Sequence, residues 1–204
     1  MMSLASAPRA GLWARLAAIL VIQAAALGWM IYERAELLRT GTEVRLAVVP
    51  IDPRDLFRGD YVTLTYDISL LRPQVIGGDT GFDVNDPIWV TLDTSLAGPA
   101  QPQGVFRHRP PTLPGQAVIR GRVERIFSGI QPRDAPDACP APCTTVEIDY
   151  GISQYFVPEG EGRSLETLRN DGRVSVVAAV DSRGRAAIKQ LLVDGVVRYQ
   201  EPLF

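Results

Sequence analysis

The side chains best suited to chemistry in this 204-residue chain are acids and arginines crowded just before a strand-like stretch. Asp52, Asp55 and Asp60 alternate with two arginines within nine residues. Such a cluster braces a turn by neutralising its own charge, or it builds a ligand site from the same groups. Both interpretations stay open at this point. The candidate ligand or partner site therefore begins with Asp52, Arg54, Arg58, Asp60 and Tyr61.

A second group of acids lies in the glycine-containing stretch 158–166. Its pattern predicts a strand exit followed by a mobile loop, from which Glu159 and Glu166 present carboxylates. If the loop folds over Asp60, two carboxylates beside an arginine would form the pair that general acid–base catalysis requires. Solvated acids with no shared site are the alternative. Glu159 and Glu166 complete the candidate site.

Other catalytic arrangements lack a required residue. A Ser/Lys dyad like that of type I signal peptidases needs a serine shortly before a Gly-Asp-led strand, and residues 51–60 contain none. Lys189, the only lysine, falls in a predicted strand instead. A Ser-His-Asp triad would have to use His108 from a proline-flanked loop, without a Gly-x-Ser-x-Gly elbow. We therefore predict no catalytic residue and no cofactor, and the sequence favours a protein that is not an enzyme.

Cys139 and Cys143, the only cysteines, enclose the short sequence CPAPC. Thiols oxidise outside the cytoplasm, so a disulfide that closes this small loop is expected there. Such a bond would tighten the loop more than it would stabilise the domain. A free or redox-active pair is the alternative. A zinc site needs further ligands, and His108 lies in a different proline-rich segment, so no metal is predicted.

A long apolar segment precedes all of these groups and decides on which side of a membrane they lie. Leu16–Tyr32 holds seventeen residues with one polar side chain, Gln23. As a helix it would be about 25 Å long, close to the thickness of a bilayer core. Arg9 and Arg15 precede it, while the charges after it nearly balance. The positive-inside rule then puts the N-terminus in the cytoplasm and everything after Glu33 outside.

A cleaved signal peptide is the rival interpretation, with Ala24–Ala26 as the cleavage site. The apolar run continues beyond that site to Ile31, which favours an uncleaved anchor in the cytoplasmic (inner) membrane. Trp29 and Tyr32 stand where an interfacial aromatic belt would lie. The predicted regions are a cytoplasmic N-terminus (1–15), a single-pass transmembrane anchor (16–32), a helical extension (33–41) and a periplasmic or extracellular β domain (42–204).

Beyond Gly41 the sequence changes to the alternation of apolar and polar residues that is typical of strands. It predicts a mainly β fold, a small antiparallel barrel or sandwich, with one short helix at Ser164–Asn170 and a transmembrane helix before it. Irregular loops are expected at Gly77–Val84, Gly98–Pro114 and Gln131–Cys143. The predicted strands are Glu43–Asp52, Asp60–Ile68, Ile88–Leu92, Ala117–Phe127, Thr144–Tyr150, Arg173–Val180, Ala187–Val193 and Val196–Tyr199.

Charge narrows the class of partner. The formal net charge is −2 and the two signs are interspersed along the chain. A protein that binds nucleic acid would carry clustered arginine and lysine, so nucleic acid is not an expected partner.

The stretch 59–66 (GDYVTLTY) resembles the signature of the GDYXXLXY domain family of bacterial membrane-anchored proteins. Residues 155–166 (YFVPEGEGRSLE) resemble the family's second typical segment, so the similarity covers essentially the whole chain. The resemblance implies no activity. Because such proteins are commonly encoded beside polytopic membrane proteins, it implies an integral membrane partner. Leu64 and Tyr66 fall on the apolar strand face, which predicts core packing, whereas Tyr61 falls on the other face.

Two functions of different classes follow. The first is a membrane-anchored exported module that binds an integral membrane or envelope partner. The alternative is a carboxylate-dependent hydrolase or small-ligand-binding domain that acts on an envelope component, using Asp60 with Glu159 or Glu166. Carboxylates gathered within about 5–10 Å in one pocket would favour the alternative.

Overall fold

One long helix leads into a mainly antiparallel β domain, as the sequence predicts. The structure is a computed structural model that describes residues 9–50, 61–95, 98–128, 143–157 and 161–202. Helix α1 spans Arg9–Thr40, and Gly41 alone separates it from the first strand.

Within α1, the stretch Trp13–Thr40 is long and apolar enough to cross a membrane, and its most apolar 18-residue window has a mean hydropathy of 1.8. None of its most apolar window is buried against the rest of the protein. A helix that is apolar on every side and uncovered by protein has the composition of a membrane span.

The β domain contains two five-stranded sheets and a two-stranded ribbon, and every strand pair in the described ranges is antiparallel. The first sheet has the order β12-β11-β10-β1-β3 and the second the order β4-β8-β7-β5-β6, while β2 pairs with β9 in the ribbon. The strands are β1 (Thr42–Val49), β2 (Tyr61–Thr63), β3 (Thr65–Tyr66), β4 (Leu70–Leu71), β5 (Pro87–Asp93), β6 (Gln101–Phe106), β7 (Gln116–Ser128), β8 (Thr144–Asp149), β9 (Gln154–Phe156), β10 (Val174–Val180), β11 (Ala186–Val193) and β12 (Val196–Gln200).

In the described ranges, three short helical pieces connect these strands: a 3₁₀ turn at Asp67–Ser69, α2 at Pro73–Ile76 and α3 at Gly162–Asn170. One hydrophobic core runs between the two sheets, because the alternate residues of their strands point inward. Two backbone hydrogen bonds also join the sheets. The Ala100 N–H donates to the Arg45 carbonyl at 2.7 Å, and the Arg120 N–H donates to the Gly184 carbonyl at 2.8 Å.

The predicted single strand Asp60–Ile68 is divided in its described part. Residues 61–63 pair with β9, residues 65–66 pair with β1, and Ile68 lies in the 3₁₀ turn. At the break, the Leu64 N–H donates to the Ser153 carbonyl at 2.8 Å. The chain thus changes pairing partner while its even-numbered side chains stay buried, so the alternation did not reveal the division.

The prediction of an irregular loop over Gly98–Pro114 is wrong, because the segment contains β6. Pro102 and Gly104 disguise this strand in the sequence, but β6 lies at a sheet edge, where proline is tolerated. The loop prediction for Gly77–Val84 agrees with the structure, which has only an isolated bridge there, between Gly78 and Val105. Of the predicted loop Gln131–Cys143, only Cys143 is among the described residues.

Gly184 provides a test of how the two sheets are joined. It has φ +79°, and a Cβ added there would lie 2.6 Å from the Trp89 ring. Gly172 has nearly the same conformation, φ +70°, but open space around it. We expect Gly172→Ala to lower the free energy of unfolding by about 1 kcal/mol, from backbone strain alone.

Gly184→Ala should cost about 1–3 kcal/mol more than Gly172→Ala, because it adds overpacking to the same strain. Thermal and urea unfolding of both variants in mild detergent measures the difference. Equal losses for the two variants would contradict the close contact between the β10–β11 turn and the second sheet.

Candidate functional site

The two segments singled out in the sequence meet in the ribbon of β2 and β9. Tyr61 pairs with Phe156, Val62 with Tyr155 and Thr63 with Gln154. The strands are antiparallel, so the chain enters β2 and leaves β9 at the same end of the ribbon. The register therefore brings the described parts of the two segments together. Whether the loop folds over Asp60 stays a prediction, because Asp60 and residues 158–160 lie outside the described residues.

Tyr66 links the first segment to the residues that precede β9 in the second. Its side chain is 2% exposed, and its hydroxyl donates to the Ile152 carbonyl at 2.6 Å. Burial raises the pKa of the Tyr66 hydroxyl far above its ordinary value, and the negative charge of Asp149 adds to the rise. The hydroxyl therefore stays neutral and serves as a donor. Leu64 is buried as well, so the prediction of core packing for both residues is confirmed.

Arg169 is the residue that sequence reasoning missed. It lies in the last turn of α3, is 2% exposed, and its Nη1 donates to the Thr63 carbonyl at 2.7 Å. Nε and Nη2 donate to Oδ1 of Asn170 at 3.2 and 3.1 Å. Burial lowers the pKa of Arg169, and the nearby carboxylate of Glu166 opposes that effect. Nothing in its local sequence marks this arginine, since solvent is the usual surrounding of a charge near a helix end.

Of the predicted site, only part falls in the described ranges. Asp52, Arg54, Arg58, Asp60 and Glu159 lie outside them, and Tyr61 is described through its backbone. Glu166 is half-buried on α3, one helical turn before Arg169. The gathering of carboxylates into one pocket therefore stays a prediction.

The predicted disulfide between Cys139 and Cys143 also stays a prediction. Cys143 is buried directly before β8, and Cys139 lies outside the described residues. Within the ranges that the structure describes, no three His, Cys, Asp or Glu side chains are grouped so that they could hold a metal ion.

A second cluster joins α1 to the domain. Leu37 and Leu38 pack against Ala179 and Ala187 of the β10–β11 hairpin. The Gly41 N–H donates to the Leu37 carbonyl at 3.0 Å. Because the same glycine also leads directly into β1, the last turn of the helix is held against the sheet from two directions.

Ion pairs surround this apolar contact. Glu33 of α1 accepts from Arg183 at 3.5 Å and from Arg185 at 3.3 Å. Arg185 also donates to Asp181 at 2.8 Å, which raises the pKa of the arginine. Burial opposes ionisation of Asp181, but bonds from Arg185 and from two backbone N–H groups hold its pKa below the ordinary value. Beside these pairs lies a groove of about 520 Å³ between α1, the hairpin and the β6–β7 loop.

A further groove, of about 450 Å³, lies between α3 and the edge strand β12. Its floor includes Leu165 and Leu168, and Val196 and Val197 are exposed along the edge strand. The β11–β12 turn stands at the opposite end of β11 from the β10–β11 hairpin. This groove is therefore far from the helix junction.

A family model described as "GDYXXLXY protein" matches residues 23–191, most of the chain. No curated protein and no solved structure matches this chain.

The Tyr66 hydrogen bond generates a pH-dependent prediction. Tyr66→Phe should cost about 1–2 kcal/mol at pH 8, because it leaves the Ile152 carbonyl without its donor. The folded-state pKa of Tyr66 is raised, so its contribution is fully present below about pH 10 and is lost as the pH rises above that value. The difference from wild type should therefore shrink by about 1.4 kcal/mol between pH 9 and pH 11.

Urea titrations across this pH range measure the difference. Tyr199→Phe is the matched control, since the Tyr199 side chain is half-buried and its hydroxyl has no hydrogen bond within the described residues. A difference between Tyr66→Phe and wild type that stays constant with pH would refute the assigned role of the buried hydroxyl.

Proposed function

The chain belongs to the GDYXXLXY protein family, and we propose that it is a membrane-anchored exported module that binds an integral membrane or envelope partner. The observation that carries this proposal is the continuity between helix and domain. α1 has the length and composition of a bilayer span, and it runs without a break into a last turn that packs on the sheet.

The direction of the anchor follows from charge. Arg9 and Arg15 precede the apolar stretch, so the N-terminus stays in the cytoplasm and the β domain is exported. The domain is then held at the outer surface of the bilayer, since only Gly41 links it to the helix.

Tethering favours binding to a partner in the same membrane. A domain fixed at the bilayer surface encounters other membrane proteins at a high effective concentration, so a modest contact area suffices. The ribbon offers such a contact. Phe156 is 76% exposed there and pairs with Tyr61, which places an aromatic side chain in the surface formed by the two family segments. Aromatic residues are enriched among those that dominate binding energy at interfaces.

A carboxylate-dependent hydrolase or small-ligand-binding domain is the second candidate. The observation that favours it is the β2–β9 register, which brings together the backbones of the segments that carry the predicted acids. Glu166 beside the buried Arg169 adds one carboxylate with a charged neighbour.

Topology is the first test. A reporter that is active only outside the cytoplasm, fused after Phe204, should be active, and the full-length chain should resist extraction by alkaline carbonate. Arg9→Glu with Arg15→Glu should reduce the active fraction by removing the positive charge that retains the N-terminus. Activity of a cytoplasm-specific reporter at the same position would overturn the orientation.

Site-specific crosslinking tests the partner. A photoreactive residue at position 156 of the full-length chain, activated in intact membranes, should give a protein adduct that mass spectrometry identifies as a membrane or envelope protein. Position 196 is the matched control, since Val196 is 70% exposed but lies on β12. Recovery of the uncrosslinked chain alone, or equal adducts from both positions, would count against the ribbon as a binding surface.

A further inference from the structure

The groove at the helix junction lies where the anchor leaves the bilayer. Trp29 and Tyr32 of α1 form part of its wall, with ring centroids 6.2 Å apart. In a bilayer such rings lie among the lipid head groups. The rest of the wall comes from the β10–β11 hairpin and the β6–β7 loop. The domain therefore borders the groove at the level of Trp29 and Tyr32.

The arginines in the groove differ in how many of their N–H donors are hydrogen-bonded. Arg185 bonds both Glu33 and Asp181, so its donors are largely occupied. Arg183 reaches Glu33 only at 3.5 Å, and its side chain is 70% exposed. Within the described residues, most of the five guanidinium N–H donors of Arg183 therefore have no protein partner, and the side chain lines the groove.

Two further groups have capacity for a ligand. Among the described residues, Arg109 makes a single side-chain hydrogen bond, from Nη2 to Oγ1 of Thr112 at 3.2 Å. The Glu36 carboxylate has neither a hydrogen bond nor an ion pair within the described residues. The groove thus combines two guanidinium groups that can donate with one carboxylate that can accept.

This set of groups selects a ligand that carries both signs of charge. A guanidinium group binds phosphate oxygens through parallel N–H donors, and a carboxylate accepts from an ammonium group. The faces of Trp29 and Tyr32 also attract an ammonium ion through cation–π interaction. A volume of about 520 Å³ admits a small polar group while acyl chains stay in the bilayer.

We infer that the groove binds the head group of a zwitterionic phospholipid of the ethanolamine type, with Arg109 and Arg183 on the phosphate and Glu36 on the amine. The inference rests on the proposed anchor, because a head group reaches the groove only if α1 spans the membrane. An anionic glycerol head group would supply the phosphate but leave Glu36 without a cation.

Native mass spectrometry of the full-length chain tests this site. The protein is reconstituted in nanodiscs containing equal amounts of phosphatidylethanolamine and phosphatidylglycerol, and is then released in mild detergent. We expect one retained phosphatidylethanolamine molecule. The double variant Arg109→Ala/Arg183→Ala should lower the retained fraction at least about tenfold, as expected when charge-assisted bonds to phosphate are lost.

Arg122→Ala/Arg198→Ala is the matched control, because it removes the same charge from outside the groove. Glu36→Gln should weaken the preference for ethanolamine over glycerol, leaving only the contribution of the Trp29 and Tyr32 rings, while phosphate binding remains. Undiminished retention in the groove variant, an equal loss in the control, or equal binding of both lipids by wild type would overturn the inference. Carbonate extraction separates the two failures: a chain that is extracted refutes the anchor, whereas an integral chain without lipid refutes only the groove.

Discussion

The single-residue connection between helix and sheet constrains the rest of the molecule. β1 lies inside the first sheet, between β10 and β3, so its position is set by pairing on both edges. The helix must therefore end where β1 begins. A Cβ on Gly41 would lie 2.6 Å from the Leu37 carbonyl oxygen, which explains why the chain has glycine at this junction. The helix direction, the ion pairs of Glu33 and the adjacent groove all follow from this connection.

The described residues of the family signature form hydrogen bonds to a segment that is far away in the chain. Leu64 binds Ser153 through its backbone, and Tyr66 binds Ile152 through its hydroxyl. Arg169 adds a charged donor from α3 to the Thr63 carbonyl at the end of β2. A buried charge costs free energy unless it is hydrogen-bonded, and these bonds compensate that cost while fixing α3 against the ribbon. The result is a stable base for a surface that presents Phe156.

The ion pairs at the junction orient side chains more than they stabilise the fold. The pairs of Glu33 with Arg183 and Arg185 are partly exposed, and such pairs contribute little to the free energy of unfolding. Their effect is to occupy Arg185, while most donors of Arg183 have no partner in the part of the chain that the structure describes. The apolar contact of Leu37 and Leu38 with the hairpin supplies the attachment, because burial of apolar surface is the larger favourable term.

The sequence by itself determined most of the features that depend on neighbouring residues. Apolar composition identified α1, and alternation identified most strands and the burial of Leu64 and Tyr66. Tertiary structure alone decided the pairing of β2 with β9, the existence of β6, the burial of Arg169 and the groove beside Trp29. These depend on contacts between distant segments. A periodic pattern shows which face of a strand is buried, but it does not show which strand lies beside it.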